Sequence, residues 1–464
     1  MIAEPLIQLA KASGGKLLRG RADAIVRGHF SDTRSPLPGA LFVALRGDNF
    51  DGNRFAREAV VKHGAAAVLL DSPDAARDLP ESAGAILVND TREGYLGIAA
   101  AHREKMSAKL WFGVTGSVGK STTKEMLSHV LQHAAGLNVH KAKGSFNNAV
   151  GLSHTVLGLT EEHDAAVLEL GTNHPGEIRQ LAQVARPNIA ILTCAAESHL
   201  EAFHSVENVA REKADIFRFQ QSGDVAILNA DSPYLPLWLN LTKGKTLTFG
   251  QAPTASVRAK HVRIASDGCA EFMVRCGDAI ADCHLRVPGM HQVSNALAVI
   301  AAAIAAGIPF ITAVRGVSTF EGIARRFTVR TVRDFTLIDD AYNANPASFT
   351  AALATLVSMK AARRFVVAGD MLELGGESAH YHIALGKQIA DCNVAGLLTV
   401  GEASSLTGAA AVGKGLDRSL WIPCTSPEEA GERLKPRLAA GDVVLVKGSH
   451  GIHLERCCQV LETD

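Results

Sequence analysis

Short apolar runs alternate with longer, helix-like stretches through most of the chain. Three apolar runs in the first hundred residues are separated by stretches of helical periodicity, and they lie at residues 40–45, 65–70 and 85–88. Strands that alternate with helices along a chain are typical of an α/β domain. A helix-like stretch at residues 94–105 then leads into an apolar run at 110–114, so we place the first domain boundary near residue 107.

The alternation continues through two further regions. Up to about residue 317, apolar runs at 165–170, 189–193 and 225–229 are separated by helical patterns, as a mostly parallel sheet requires. Residues 247–287 instead alternate apolar and polar positions, which predicts antiparallel strands inserted before an alanine-rich helix. After residue 317 the pattern restarts, with predicted strands at 335–339, 364–368, 397–400 and 443–446 and predicted helices at 348–359 and 381–392.

A chain of 464 residues is too long for one hydrophobic core, which agrees with several domains. We predict an α/β protein of three domains. These are a small α/β N-terminal domain at residues 1–107, a central domain with a mostly parallel sheet at 108–317, and a Rossmann-like C-terminal domain at 318–464.

The charge balance excludes two classes of partner. The 47 basic and 47 acidic residues cancel, so the chain lacks the broad positive field that draws proteins onto nucleic acid or anionic membranes.

The longest apolar helical run, residues 296–308, is shorter than the roughly 20 residues that span a bilayer. The N-terminus lacks a basic segment followed by a continuous apolar stretch. We expect a cytoplasmic protein with no membrane insertion, and we expect a monomer.

A glycine-rich segment, GVTGSVGKST from Gly113 to Thr122, lies between the apolar run 110–114 and a predicted helix. In this context backbone amides converge on phosphate oxygens. Lys120 supplies a charge for the β and γ phosphates of ATP, and the Ser121 hydroxyl can bind Mg²⁺. Val114 breaks the strict GxxxxGK[ST] pattern, so the spacing is GxxGK[ST]. The central domain is therefore predicted to be a P-loop ATPase domain whose nucleotide-binding residues are Thr115, Gly116, Ser117, Gly119, Lys120, Ser121 and Thr122.

Two residues at the ends of predicted strands are candidate metal ligands. Glu169 lies at the end of the run 165–170, beside the phosphate loop in a parallel sheet, and His199 follows the run 189–193 by a short loop. Taken alone, Glu169 is also explained as a strand-end surface glutamate and His199 as a structural histidine. Both interpretations stay open at the level of single residues.

Seven segments occur in a fixed order along the whole chain. They are residues 31–34 (SDTR), 47–52 (GDNFDG), 113–122, 144–148 (GSFNN), 169–178 (ELGTNHPGEI), 289–295 (GMHQVSN) and 339–346 (DDAYNANP). Together they resemble the Mur ligase family, ATP-dependent amide-forming enzymes that extend the peptide of the peptidoglycan precursor. Residues 169–178, 339–346, 369–375 (GDMLELG) and 446–449 (VKGS) are similar to those of members that add D-alanyl-D-alanine to UDP-N-acetylmuramoyl-tripeptide.

The resemblance implies a role for each matching residue. It gives Lys120 and Ser121 to the phosphates and Mg²⁺, makes Glu169 and His199 further metal ligands, and implies that Lys213 is carbamoylated beside a second Mg²⁺. Lys120, His199 and Lys213 are then the catalytic residues. Three residues outside the loop are implied to contact the nucleotide: Asn295, Arg325 and Asp340. The implied substrate-binding residues are Ser31, Asp32, Thr33, Arg34, Asn147, Asn148, Tyr342, Asn343 and Asn345.

The chemistry that the resemblance implies proceeds in two steps. The terminal carboxylate of the tripeptide attacks the γ-phosphate of ATP, and the amine of D-alanyl-D-alanine then displaces phosphate from the acyl phosphate. Two Mg²⁺ ions, Lys120 and the loop amides stabilise the charge on the transferring group.

Four positions depart from the family pattern: Asn53, Ser145, Gln292 and His450. Gln292 suggests a folylpolyglutamate-type ligase as an alternative enzyme. An alternative from another class is a catalytically silent binding module, which is disfavoured because the residues implied in catalysis and metal binding are all present.

Overall fold

The computed structural model describes residues 3–47, 50–106 and 109–463. Within these ranges, three successive regions contain main sheets of five, nine and six strands, with helices joining the parallel strands. This arrangement confirms the predicted α/β class with three domains. The first predicted boundary falls on residues 107 and 108, which lie outside the described residues, and both boundaries stay predictions.

The N-terminal region carries short strands and four helices. Its strands are β1 Ala3–Pro5, β2 Lys16–Arg19, β3 Ile25–Arg27, β4 His29–Phe30, β5 Leu41–Val43, β6 Arg46–Gly47, β7 Phe50–Asp51, β8 Ala67–Leu70 and β9 Gly84–Leu87. Its helices are α1 Leu6–Ala12, α2 Ala56–Val61, α3 Pro73–Arg77 and α4 Thr91–Lys105. The main sheet has the order β2-β9-β8-β5-β4. The predicted apolar runs form β5, β8 and β9, which are buried because the sheet is covered on both faces.

The central region forms the nine-stranded sheet. Its strands are β10 Leu110–Thr115, β11 Val139–Lys141, β12 Ala165–Glu169, β13 Ile189–Leu192, β14 Val225–Asn229, β15 Lys245–Gly250, β16 Val257–Ile264, β17 Cys269–Cys276 and β18 Ala279–Pro288. Its helices are α5 Lys120–His129, α6 Ala149–Leu157, α7 Glu177–Ala185, α8 Leu200–Phe203, α9 Val206–Ala214, α10 Leu235–Leu241, α11 His291–Ala305 and α12 Phe310–Ser318. The order β11-β12-β10-β13-β14-β15-β16-β17-β18 places β10 between β12 and β13, with Val114 beside Glu169.

The antiparallel strands predicted in residues 247–287 are confirmed as β16, β17 and β18. They do not form a separate insertion, because β16 pairs in parallel with β15 and so extends the same sheet. The alanine-rich helix α11 is buried along most of its length and packs across this sheet. Small side chains allow its backbone to approach the strands closely.

The C-terminal region has a six-stranded sheet in the order β19-β20-β24-β21-β22-β23, parallel except for the hairpin of the first two strands. The strands are β19 Thr328–Val332, β20 Phe335–Asp340, β21 Arg364–Gly369, β22 Gly396–Val400, β23 Trp421–Cys424 and β24 Val443–Lys447. The helices are α13 Pro346–Ser358, α14 Ser378–Asp391, α15 Ser404–Gly413, α16 Pro427–Leu434 and α17 Glu455–Glu462. The hydrophobic pattern predicted four of these strands; it missed β19 and β23, whose residues are less buried.

The three regions do not have three separate cores. Helix α4 packs against α6 and α7, so Leu96 and Ile98 share one apolar cluster with Leu152 and Leu181 of the central region. The C-terminal sheet has its own clusters on its two faces. Among the described residues, no helix is both long and apolar enough to cross a membrane.

Candidate active site

The glycine-rich loop connects the buried strand β10 to α5. Gly116 has φ +151° and Gly119 has φ +84°, backbone values that non-glycine residues rarely adopt. A Cβ atom at Gly116 would lie 1.9 Å from Oγ1 of Thr193, and one at Gly119 would lie 2.4 Å from Oδ1 of Asn295. Both positions therefore require glycine, and the loop delivers its amides to the N-terminus of α5, where anions bind favourably.

Lys120, the first residue of α5, folds back over the loop. Its Nζ donates to the carbonyl oxygen of Gly116 at 2.7 Å, and burial lowers its pKa, with a contribution from the positive charge of Arg326. An ammonium held here lies over the amides that would surround a phosphate chain. Lys120 thus lines the cavity beside the loop, and its role in phosphate binding stays a prediction.

Ser121 and Glu169 meet at the carboxyl edge of the sheet. The hydroxyl of Ser121 donates to Oε2 of Glu169 at 2.8 Å, and Nδ2 of Asn147 donates to Oε1 at 2.9 Å. Lys124 is buried and its Nζ lies 3.7 Å from Oε2 of Glu169. Ser121 and Glu169 present the hard oxygen ligands that Mg²⁺ prefers, so these residues fit the implied metal.

Of the two other residues implied in metal binding, His199 lines the cavity, whereas Lys213 does not line it and is buried close enough to Lys120 to feel its charge. His199 lines the cavity, and its Nδ1 lies 2.5 Å from Oε2 of Glu373, although the approach is not that of an aligned hydrogen bond. Lys213, on α9, is 1% exposed, and burial together with the nearby charge of Lys120 lowers its pKa to about 7. In the described ranges no three His, Cys, Asp or Glu side chains form a ready-made metal site. A metal here therefore needs further oxygens from phosphate, hydroxyl or modified lysine.

Helix α11 forms another wall of the cavity with polar residues of its first turns. Asn295 is 5% exposed, and its Nδ2 donates to Oε1 of Gln292 at 2.9 Å. Thr123 of α5 donates to Oδ1 of Asn295 at 3.4 Å. Burial lowers the pKa of His291 to about 4, so this imidazole is neutral near pH 7. Gln292 and Asn295 are thus fixed by each other at the edge of the loop.

The C-terminal region closes the cavity with charged residues. Lys447 donates to Oδ2 of Asp340 at 2.7 Å and to the carbonyl oxygen of Asn343 at 2.9 Å. Arg326 lies over the ring of Tyr342, with Cζ 4.1 Å from the ring centroid, and its Nη2 donates to Ser145 of the central region at 3.2 Å. This cavity measures about 390 Å³ and is lined by both regions.

One predicted nucleotide contact points elsewhere. Arg325 does not line the cavity, and its Nη1 lies 3.9 Å from Oε1 of Glu455. The backbone at Arg325 has φ +63°, and the adjacent Arg326 lines the cavity in its place. The sequence alone could not distinguish Arg325 from Arg326. The left-handed backbone occurs at an arginine and not at a glycine, so no residue type indicates it in advance.

The predicted nucleotide-binding and substrate-binding residues occupy different places in the structure. The cavity is lined by the predicted nucleotide-binding and substrate-binding residues Ser117, Gly119, Lys120, Ser121, Thr122, Asn147, Asn295, Asp340, Tyr342, Asn343 and Asn345. Asn148 instead accepts from the amide of Gly151 and caps α6. Asp32 and Arg34 form a bidentate pair on an exposed turn of the N-terminal region, with Nη2 2.6 Å from Oδ2. Residues 48 and 49 of the segment 47–52 lie outside the described residues.

Several residues of the cavity and its borders were missed by the sequence analysis. Lys447 and Glu373 lie within the quoted segments 446–449 and 369–375. Both residues therefore belong to recognised motifs, but neither had a predicted role. His291 likewise lies within the quoted segment 289–295, whereas Lys124 and Arg326 lie outside these motifs, and their positions depend on helix packing and on the approach of two sheets.

Comparison with known proteins identifies the family. The Mur ligase family catalytic domain matches residues 30–104, the Mur ligase middle domain matches 114–303, and the Mur ligase glutamate ligase domain matches 325–450. The chain belongs to the Mur ligase family. The UDP-N-acetylmuramoyl-tripeptide–D-alanyl-D-alanine ligase of Escherichia coli K12 is 35% identical over 472 residues, covering 100% of this chain and 99% of the relative.

Solved Mur ligases share the whole architecture of this chain. A crystal structure of MurF from Acinetobacter baumannii has a TM-score of 0.90 and 26% identity, covering 100% of this chain and 99% of that one. A MurF ligase from Thermotoga maritima, solved in complex with ADP, has a TM-score of 0.81 and 25% identity over 94% of this chain and 97% of that one. The Mur ligase fold therefore extends over all three regions of this chain.

Proposed function

We propose that this Mur ligase uses ATP to join D-alanyl-D-alanine to UDP-N-acetylmuramoyl-tripeptide through an acyl phosphate. One observation carries the proposal: Lys120, Ser121 and Glu169 of the central region face Asp340 and Lys447 of the C-terminal region across a single cavity. An ATP-binding loop thereby lies opposite the region in which the family takes its incoming amine. The likeness to named ligases of this specificity supports the same substrates.

The chain's own residues account for phosphoryl transfer. The amides of the loop and the ammonium of Lys120 would hold the β and γ phosphates while the tripeptide carboxylate attacks in line. Asn295 and Asp340 would hold the nucleoside from two sides, and we assign to Arg326, rather than Arg325, the guanidinium that approaches the transferred group. Closure of the cavity by the C-terminal region would exclude water from the acyl phosphate.

The metal requirement involves four residues. Ser121 and Glu169 would hold one Mg²⁺, and His199 with a carbamoylated Lys213 would hold a second. Bound Mg²⁺ would neutralise charge on the phosphates. Lys213 suits carbamoylation because the reaction needs a neutral amine, and burial beside Lys120 lowers its pKa to about 7.

The three domains divide the substrates among them in this proposal. Residues 1–107 bind the UDP moiety through Ser31, Asp32, Thr33 and Arg34, residues 108–317 bind ATP, and residues 318–464 bind the dipeptide with Tyr342, Asn343 and Asn345. Asn147 lies beside Glu169 and would meet the tripeptide end. We propose that the enzyme acts as a cytoplasmic monomer.

The test is a coupled assay of ADP release and product mass. The purified chain should release ADP and form the pentapeptide product only when UDP-N-acetylmuramoyl-tripeptide and D-alanyl-D-alanine are both present. Lys120→Ala should reduce the rate by about 100-fold or more, as loss of a key charge at a phosphoryl site does. Lys360→Ala, at an exposed position of the C-terminal region, is the control. Turnover with folate and glutamate instead, or no turnover with any acceptor, would overturn the proposal.

A further inference from the structure

A segment of the C-terminal region, residues 370–377, rests on the part of the central region that carries His199. Oε2 of Glu373 lies 2.5 Å from Nδ1 of His199. The backbone at Gly375 lies so close to Glu201 that an added Cβ would be 3.1 Å from its Cα. Tyr381 packs against the apolar cluster of α8. The contact therefore combines a histidine–carboxylate pair with a small apolar patch between two regions.

Both partners of this histidine–carboxylate pair have unusual backbones. His199 has φ +52° and Glu373 has φ +63°, left-handed conformations that are unfavourable in residues with a side chain. Such conformations persist where surrounding contacts fix them, and they concentrate at functional sites. Here they aim two side chains at each other across the boundary between regions.

The contact with Glu373 at Nδ1 also affects Nε2, the second ring nitrogen of His199. A carboxylate beside Nδ1 favours the proton on that nitrogen and leaves the lone pair of Nε2 free. Histidines that bind metals usually have such a carboxylate or carbonyl behind them, which fixes the ring and its tautomer. His199 lines the cavity that also contains Ser121 and Glu169.

We propose that Glu373 is a positioning residue that orients His199 for the metal and so makes metal binding depend on the docked C-terminal region. This inference rests on the proposed function, because it takes His199 as a metal ligand. It assigns a role to the central glutamate of the segment 369–375, whose side chain is 53% exposed. That exposure makes a purely structural role in the core a poor explanation.

The test measures metal binding directly. Mn²⁺ is titrated into the full chain with a non-hydrolysable ATP analogue, and free Mn²⁺ is followed by electron paramagnetic resonance. E373A should raise the Kd of at least one bound Mn²⁺ by about tenfold, the usual effect of removing such a partner. E373Q should give a smaller loss, because an amide oxygen beside Nδ1 still favours the proton on that nitrogen, although without the charge of the carboxylate. E377A, an exposed residue of the same segment, should leave the Kd unchanged.

A double variant separates orientation of His199 from other effects. In an H199A background, E373A should add no further weakening, because the residue through which it acts is gone. Mn²⁺ binding by E373A that equals wild type, or further weakening in the H199A background, would overturn the inference. Product formation by the wild type judges the proposed function separately, since the Mn²⁺ comparison needs no turnover.

Discussion

The Ser121 hydroxyl donates to Oε2 of Glu169 at 2.8 Å, which joins the first turn of α5 to the end of β12. Strand order produces this contact, because β10, which leads into the loop, pairs directly with β12. The carboxylate of Glu169 also accepts from Asn147 and is nearly fully buried, so its position is fixed by three elements.

Glu169→Gln should weaken Mg²⁺ binding without unfolding the protein. The amide retains the shape of the carboxylate but loses its charge, and about 1.4 kcal/mol of lost attraction corresponds to a tenfold weaker affinity. We expect the Mg²⁺ concentration at half-maximal rate to rise about tenfold or more. Rates measured over a Mg²⁺ series check this, with Glu161→Gln as an exposed control. An unchanged Mg²⁺ dependence would remove Glu169 from the metal site.

Lys213→Ala should be nearly inactive, and acetate should restore part of the activity. The deletion leaves space for a small carboxylate in place of the carbamate, whereas Lys213→Met fills that space and should not be rescued. Because burial lowers the pKa of Lys213 to about 7, the neutral amine that reacts with CO₂ grows as pH rises through 7. A carbamate signal in ¹³C NMR after addition of labelled bicarbonate should grow in the same direction. Full activity of Lys213→Ala without bicarbonate would refute the assignment.

Arg326→Ala should lower the rate far more than Arg325→Ala. Arg326 faces the cavity and contributes positive charge near Lys120, whereas Arg325 points toward Glu455. Removing one preorganised charge from a phosphoryl site costs about 100-fold in kcat. Arg418, stacked over Trp421 outside the cavity, provides a matched control for loss of an arginine on an aromatic ring. A larger loss of rate in Arg325→Ala than in Arg326→Ala would instead support the prediction from the sequence that Arg325 contacts the nucleotide.

Arg34→Ala should raise KM for the UDP-linked substrate and leave KM for ATP unchanged. Arg34 and Asp32 form a bidentate pair on an exposed turn, so the guanidinium is held in one orientation before any ligand arrives. Loss of a charge-assisted hydrogen bond to the substrate should raise this KM by roughly tenfold. Arg21, paired with Asp23 in the same way, serves as the control. Equal effects in both variants would argue against a binding role for the segment 31–34.

The local sequence was sufficient to predict the glycine-rich loop and the glutamate at the neighbouring strand end. Contacts between distant segments could not be predicted from it. Glycines at 116 and 119 and a glutamate at a strand end are encoded within a few residues, so the pattern found them. Arg326, and not Arg325, lines the cavity, and the contact of Glu373 with His199 joins residues 174 positions apart. Neither follows from periodicity, because both depend on how two sheets approach each other.

The continuous core between α4 and helices α6 and α7 has a mechanical consequence. We expect the N-terminal and central regions, which share buried side chains, to move together. The C-terminal region has separate cores and can move relative to them. If the turn at residues 31–34 binds the UDP moiety as proposed, its distance to the phosphate loop would stay constant while the C-terminal region moves. The peptide linked to the UDP moiety would then reach the phosphate loop over a fixed separation, independent of the position of the C-terminal region.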